Sequence, residues 1–470
     1  MESQSEELRS TTEGVLEECP RFRILLVGKT GTGKSSLINE TFKIDLAAVS
    51  HDLAGVSDIN TEITSPENTR FVLHDSMGYE PGETKNLDSV KNFLESRSKE
   101  KHVKDRVHAV WLCTETPFAG SRVFETGDEH IIASLTICAV PIIVVFTKFD
   151  NLVANEELGF TDDEIEGMDD AEVEALAIKQ ANAIFENTCI KQLDGLGHNI
   201  GYAKVSVQPK YRNTLAELID TTQALLSNRG EKGVWMVAAM AQRASAQAKI
   251  DSSIKSVSNL AIVGRYWRGL ASGANFNRHP LNACLDVIHS DIVSGWYFND
   301  PDKAYQLLNG TEFRKRIMAF TQFLTPDVSN VSTWFSENID TLNNFIGIAT
   351  AVSAPLAPAA LALGLSAMFV AWIAKLFAKS PETLRCLMGH IVDLTLVMEL
   401  LFSQTLRLER PFRLTWAQVE TALEAYSTTT LPEVHRQIRE YTEASSFAQI
   451  IRADNAHERI IALINQYRSK

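Results

Sequence analysis

The stretch Gly28-Lys29-Thr30-Gly31-Thr32-Gly33-Lys34-Ser35 decides how the rest of the sequence is read. It has the form GxxxxGK[ST], follows the apolar run Phe22 to Val27, and opens a helical pattern that starts at Lys34 and holds Leu37 and Ile38. Glycine lets the backbone take conformations closed to other residues and come close to a ligand. The N–H groups of such a loop, and those of the helix it opens, point at anionic oxygens, and the helix dipole adds to the attraction. The pattern therefore predicts a cradle for a polyphosphate formed by Gly28, Thr30, Gly31, Thr32, Gly33, Lys34, Ser35 and Ser36. Lys34 neutralises charge on the outer phosphates, and the Ser35 hydroxyl is a ligand for Mg2+.

A phosphate loop does not choose its base, so the flanking sequence has to. Asp75-Ser76-Met77-Gly78 is a DxxG box that ends an apolar strand, 40 residues after Ser35, which leaves room for one helix and a hairpin. Asp75 can hold Mg2+ through water, and the Gly78 N–H can meet the terminal phosphate. Lys34 and Gly78 are thus the catalytic candidates. Farther on, Thr147-Lys148-Phe149-Asp150 has the form [NT]KxD and follows the strand Val140 to Phe146. Guanine presents an N1–H and an exocyclic NH2 side by side, and one carboxylate can accept from both. Adenine has no such donor pair, so Asp150 selects GTP over ATP while the Lys148 stem covers the base. Ser206, at the end of the expected strand Ala203 to Val207, is a candidate to close the base pocket, although a plain core or turn serine fits the sequence equally well.

The three boxes, in this order, resemble the TRAFAC class of P-loop GTPases. The hairpin and the TKxD box look more like the Era, septin and AIG1 branches than like Ras, and the layout is similar to fungal G-domain-containing proteins with a helical C-terminal half. The resemblance covers about residues 20 to 228. It implies a P-loop NTPase G domain, GTP and GDP as ligands, Mg2+ as cofactor, and self-association through the G domain as in septins. It also implies a switch I hydroxyl on the metal. Ser57, Thr61 and Thr64 are available. The alternation of Ile59, Thr61 and Ile63 puts the threonines in a strand and leaves Ser57, so the expected metal set is Ser35, Ser57 and Asp75. Tyr79 stands after DxxG where Ras-like enzymes carry a water-orienting Gln, which implies slow hydrolysis, with Gly78 to Gly82 as the mobile switch II.

Outward from these boxes, β-like runs at Ile59 to Thr64, Arg70 to His74, Val107 to Cys113 and Pro141 to Phe146 alternate with helical patterns, one of them around Ile131 to Leu135. Such alternation predicts an α/β fold with a mostly parallel sheet and helices on both faces. Residues 149 to 178 contain no Lys or Arg and many Asp and Glu, which reads as an exposed acidic loop leading into a helix. Residues 1 to 230 carry a net charge of -16 and residues 231 to 470 carry +2. That break, and helical patterns at Leu281 to Ile292, Pro381 to Leu406 and Ala456 to Tyr467, predict three segments: a disordered acidic stretch 1–20, a G domain 21–229 and an all-α region 230–470. Six of the seven tryptophans, Trp235, Trp267, Trp296, Trp334, Trp372 and Trp416, fall in the last and are expected core anchors.

With 470 residues the chain is too long for one core, and a net charge of -14 is the wrong sign for a protein that neutralises phosphates along DNA or RNA. Nucleic acid is therefore excluded as the main partner. The six cysteines have no CxxC pair, and the acidic N-terminus has no apolar leader pattern, so the expected location is cytoplasmic. One segment complicates this. Residues 341–374, 34 in all, contain no charged side chain or histidine and are interrupted by Pro355 and Pro358. A buried helical hairpin and a membrane segment both fit that length. The functional readings are accordingly two: a GTP-hydrolysing switch acting on the helical half, and a septin-like or AIG1-like membrane-associated scaffold whose assembly depends on nucleotide.

Overall fold

The computed structural model describes residues 11–46, 58–76, 85–118, 140–195, 200–228, 233–254, 281–298, 307–322, 381–406, 414–444 and 455–468, with positions 123, 124, 129, 132 and 324. Ser57, Gly78, Tyr79, Ile131, Leu135, Trp267, Trp334, Trp372 and the apolar segment 341–374 lie outside them. The chain divides into two units, Glu18–Ala248 and Met1–Glu17 with Lys249–Lys470.

In the first unit the strands are β1 (Phe22–Gly28), β2 (Ile63–Ser65), β3 (Asn68–Asp75), β4 (Ala109–Glu115), β5 (Ile142–Thr147) and β6 (Gly201–Lys204). They form one sheet in the order β2-β3-β1-β4-β5-β6. Only β2 runs antiparallel to its neighbour, Ser65 facing Asn68 across the expected hairpin turn. Every residue of β1 is buried, as a central parallel strand requires when helices cover both faces. On one face Leu25, Val27, Val110, Leu112 and Val144 pack with Phe93 and Leu94 of the helix Lys85–Ser98 and with Ala181 and Phe185 of the helix Asp170–Phe185. On the other, Trp111 lies against Phe42 of helix α2 (Lys34–Phe42) and donates its indole N–H to Thr222 of the helix Arg212–Asn228 at 3.2 Å.

Several elements differ from the sequence reading. The run Ile59 to Thr64 is not one strand: the Thr61 N–H bonds the Asp58 carbonyl at 2.8 Å and the Asp58 side chain takes the Asn60 N–H, so residues 58–61 form a turn and β2 starts at Ile63. Asx chemistry outweighs alternation there. β6 ends at Lys204, which leaves Ser206 beyond the strand. The stretch 1–20 includes helix α1 (Thr11–Glu18), where the Thr12 N–H bonds Asp291 at 3.0 Å and Val15 is buried. The unit boundary also falls after 229, because the helix Val234–Ala241 carries no charge, is buried at every position and packs on β1 and β3. A charge count cannot see such a helix, and Trp235 on it belongs to the first unit. The acidic stretch holds two helices, Phe149–Leu158 and Asp170–Phe185, the second opened by a capping box between Asp169 and Glu172.

The described residues of the second unit are largely helical. The helix Pro381–Thr405 packs against the helices Leu281–Trp296, Thr311–Gln322, Trp416–Thr429, Leu431–Ala444 and Asn455–Tyr467. Its span Arg385–Thr405 is long and apolar enough to cross a membrane, yet 89% of its apolar 18-residue window is buried within the protein, as in a core helix. Trp296 is fully buried beside Phe402, as an anchor should be. At the centre, Asp393 accepts from the Tyr426 hydroxyl at 2.6 Å and from His435 Nε2 at 2.9 Å, all three buried. Removing one partner of such a group strands the others away from water. Asp393→Ala should destabilise this unit by about 3 kcal/mol. Chemical denaturation checks this: a loss below about 1 kcal/mol would show that the site repacks or wets freely.

Candidate P-loop nucleotide site

The carboxyl ends of β1, β3, β4 and β5 meet where the sheet order reverses beside β1, the place where open α/β sheets bind ligands. Leu26 of β1 is in register with Asp75 of β3, Gly28 with Cys113 of β4, and Glu115 of β4 with Thr147 of β5. The three sequence boxes thereby come to one edge, and the chain past β6 brings Ser206 to the same side.

After β1 the loop turns back over the strand end. Gly28 has φ 156° and lies so close to β4 that a Cβ would stand 2.4 Å from the Cys113 carbonyl oxygen, so only glycine fits. Gly31 and Gly33 have φ 83° and 79°, the left-handed region, with open space around them. Gly33 is the N-cap of α2, so Ser35 and Ser36 sit in its first turn, exposed. The Lys34 ammonium folds back over the loop and donates to the Gly28 and Lys29 carbonyls, each at 2.7 Å. Burial lowers its pKa, and the nearby Asp75 charge opposes that shift.

Asp75 is the mirror case. Burial raises its pKa to about 6, against the pull of Lys34, and its buried Oδ1 has no hydrogen-bond partner among the described residues. The preceding His74 is fully buried and held at about 4 by that burial, hence neutral near pH 7. The Ser76 N–H bonds the Leu26 carbonyl at 3.0 Å and extends the β1–β3 register past Asp75.

At the end of β5 the Thr147 hydroxyl lies 2.7 Å from the Thr32 carbonyl and 3.1 Å from that of Thr114, tying the TKxD box to the phosphate loop. Lys148 has φ 56°, an uncommon backbone for a residue with a side chain, and its ammonium pairs with Glu115 at 2.9 Å. Phe149 is buried and its N–H bonds the Val205 carbonyl at 3.1 Å, which fixes the first turn of Phe149–Leu158 and Asp150 within it. Ser206 is buried too. Its N–H bonds Thr214 at 3.0 Å, and its hydroxyl accepts from the Gln208 N–H at 3.1 Å, closing a turn.

Thr61, a switch I alternative, sits in the 58–61 turn, and Thr64 in β2. Sequence reasoning missed Glu115 and the Val205 carbonyl. Glu115 carries a visible signal, a carboxylate at the carboxyl end of a central strand, whereas a backbone carbonyl carries none.

A mostly parallel sheet with this loop, this acid and this TKxD turn at its carboxyl edge is the arrangement of a P-loop GTPase domain. Residues 23–148 match the family model described as 50S ribosome-binding GTPase. The match supports a GTPase, with GTP binding and hydrolysis implied, and by family it implies guanine nucleotide and Mg2+. Residues 307–470 match one described as Domain of unknown function (DUF8505), which gives the helical unit no role. No curated protein matches the chain.

Proposed function

We propose that the chain binds Mg-GTP at this edge, hydrolyses it slowly, and uses the change to act on its helical unit. In this reading the loop from Gly28 to Gly33 and the first turn of α2 through Ser36 hold the phosphates. Lys34 and the Gly78 N–H stabilise charge that grows on the transferred group, and Ser35, Ser57 and Asp75 form the metal side. Thr147, Lys148, Asp150 and Ser206 frame the base. The observation that carries the reading is the short bond from Thr147 to the Thr32 carbonyl, which sets phosphate loop and base box at a fixed spacing. The free Asp75 oxygen and the open space over Gly31 and Gly33 suit a magnesium polyphosphate. Phosphoryl transfer needs positioning and charge neutralisation rather than a protein nucleophile, and this set supplies both. With Tyr79 after DxxG the water lacks the usual amide partner, which favours a slow rate.

The likeness to Era, septin and AIG1 proteins extends the reading to nucleotide-dependent assembly. The ribosome named for the matching family is not carried over, because a net charge of -16 on residues 1–230 opposes contact with RNA phosphates. The test is hydrolysis of GTP and of ATP by the purified full chain at rising protein concentration, with and without anionic liposomes. Turnover of GTP over ATP at a constant rate per molecule is the expected result. A rate that climbs with concentration, or pelleting with liposomes, would favour the scaffold, and equal turnover of both nucleotides would end the guanine reading.

The Asp75 environment adds a pH dependence. A carboxyl raised to about 6 holds its proton below that value, and the neutral acid cannot hold Mg2+. The Mg2+-dependent part of GTP affinity should therefore be full above pH 7 and fade as pH falls through about 6. The linked effect on the nucleotide-free fold has the opposite sense: the raised acid favours folding at low pH, and that gain is lost as pH rises through about 6. Titration of a fluorescent GTP analogue across this range, with and without Mg2+, checks the first. An affinity whose Mg2+ dependence is flat down to about pH 5 would contradict it.

A further inference from the structure

Beneath the metal side of the site lies a buried polar chain that the chemistry above does not use. Arg23, on β1, places Nη1 2.7 Å from His74 Nε2 and 2.6 Å from Glu62 Oε1. A guanidinium can only donate, so His74 Nε2 is the acceptor and the ring proton sits on Nδ1. Nδ1–H then donates to the Ile59 carbonyl at 2.7 Å. Arg23 is itself held from both sides: Nη2 donates to the Lys104 carbonyl at 3.3 Å, and its N–H bonds His108 Nδ1 at 2.9 Å. His74 is fully buried and lies against Phe93 of Lys85–Ser98, ring centroids 4.8 Å apart. One imidazole thus touches the DxxG strand, the helix that follows DxxG in sequence, and the chain two residues after Ser57.

We propose that His74 is a positioning residue for GTP hydrolysis: it sets the segment at Ile59 against β3, and so holds Asp75 at a fixed spacing from the switch I side of the metal. This rests on the GTPase reading and deepens it. A generic core residue would suffice to fill the space. An apolar side chain, however, could neither accept from Arg23 nor donate to Ile59, and the Ile59 carbonyl would lose its partner at the turn 58–61. The turn is short; among the described residues its side-chain hydrogen bonds are those of the exposed Asp58 to Asn60 and of the buried imidazole to the Ile59 carbonyl. The imidazole thus ties its backbone inward while the Ile59 side chain packs in the core.

The test compares His74→Leu with His74→Gln, whose amide can accept from Arg23 and donate to Ile59. The readouts are the Mg2+ dependence of single-turnover GTP hydrolysis, GDP affinity without Mg2+, and thermal melting. For His74→Leu the Mg2+ needed for half-maximal rate should rise about tenfold, the scale on which outer-shell partners act, while Mg2+-free GDP affinity stays within about twofold. The glutamine variant should recover most of the loss. Unchanged Mg2+ dependence in His74→Leu overturns the proposal, as does a loss of hydrolysis and GDP affinity in equal measure, which marks a merely structural role. Should the leucine variant melt below the assay temperature, Arg23→Lys, which cannot serve Glu62 and His74 at once with the same geometry, is judged by the same outcomes. Failure of the wild-type chain to hydrolyse GTP would sink the GTPase reading; an active wild type with an indifferent His74→Leu sinks only this one.

Discussion

Lys34→Ala is expected to lower GTP affinity at least about a hundredfold while leaving both units folded. The half-buried ammonium donates to the Gly28 and Lys29 carbonyls, each 2.7 Å away, with the Asp75 carboxyl nearby. Polyphosphate oxygens in the proposed cradle would take over those donors. Removing a charged partner from such a contact costs roughly 3 kcal/mol or more, which is about two decades in a dissociation constant. The fold should survive because the Lys34 ammonium bonds loop carbonyls, while α2 is anchored by Leu37, Ile38 and Phe42 in the core. A calorimetric titration with GTP, beside a melting curve, reads both. An unchanged affinity would remove Lys34 from the phosphate site, and a collapse of the melting transition would mean that the ammonium is a structural brace.

How much of this was legible in the sequence follows from which forces act locally. The phosphate loop, Asp75 and the TKxD box were readable because each rule is short: glycine where φ must be positive, a carboxylate where an apolar run ends, a turn after a strand. The mostly parallel sheet followed from the alternation of β-like and helical patterns, while the strand order came only with the structure. The misreadings share a cause. Ile59, Thr61 and Ile63 alternate like a strand, but Asp58 offers its side chain to the Asn60 N–H and the turn takes precedence. The helix Val234–Ala241 looks like the start of a new domain by charge, yet its apolar surface fits β1 and β3. Contacts set by long-range packing, such as Thr12 to Asp291 or Arg23 to His74, leave no trace in a window of neighbouring residues. Ser206 shows the same limit: the sequence put it at the end of a strand Ala203 to Val207, whereas it lies past β6 in a turn where its hydroxyl accepts from the Gln208 N–H and its own N–H bonds Thr214.

Asp150→Asn should change which purine is bound rather than whether the protein folds. Asp150 sits in the first turn of Phe149–Leu158, placed by the buried Phe149 and by the left-handed Lys148, whose strained backbone is held through the Glu115 ion pair and the Phe149 to Val205 bond. None of these depends on the Asp150 carboxylate. What does depend on it is the pair of donors on guanine. Each charge-assisted bond contributes about 1.5–3 kcal/mol, so losing the bidentate acceptance should weaken GTP binding by roughly 10²- to 10⁴-fold. An asparagine amide offers one acceptor and one donor. It suits a base that keeps N1–H but carries a carbonyl in place of the exocyclic amine, so xanthosine triphosphate should gain where GTP loses. Lys34 makes no distinction between bases, and its contribution should be untouched. Competition of GTP, ATP and xanthosine triphosphate for a fluorescent nucleotide on the wild type and on Asp150→Asn measures all three. If the substitution leaves the preference as it was, the base is recognised elsewhere, and the short path from Thr147 to Thr32 serves the loop alone.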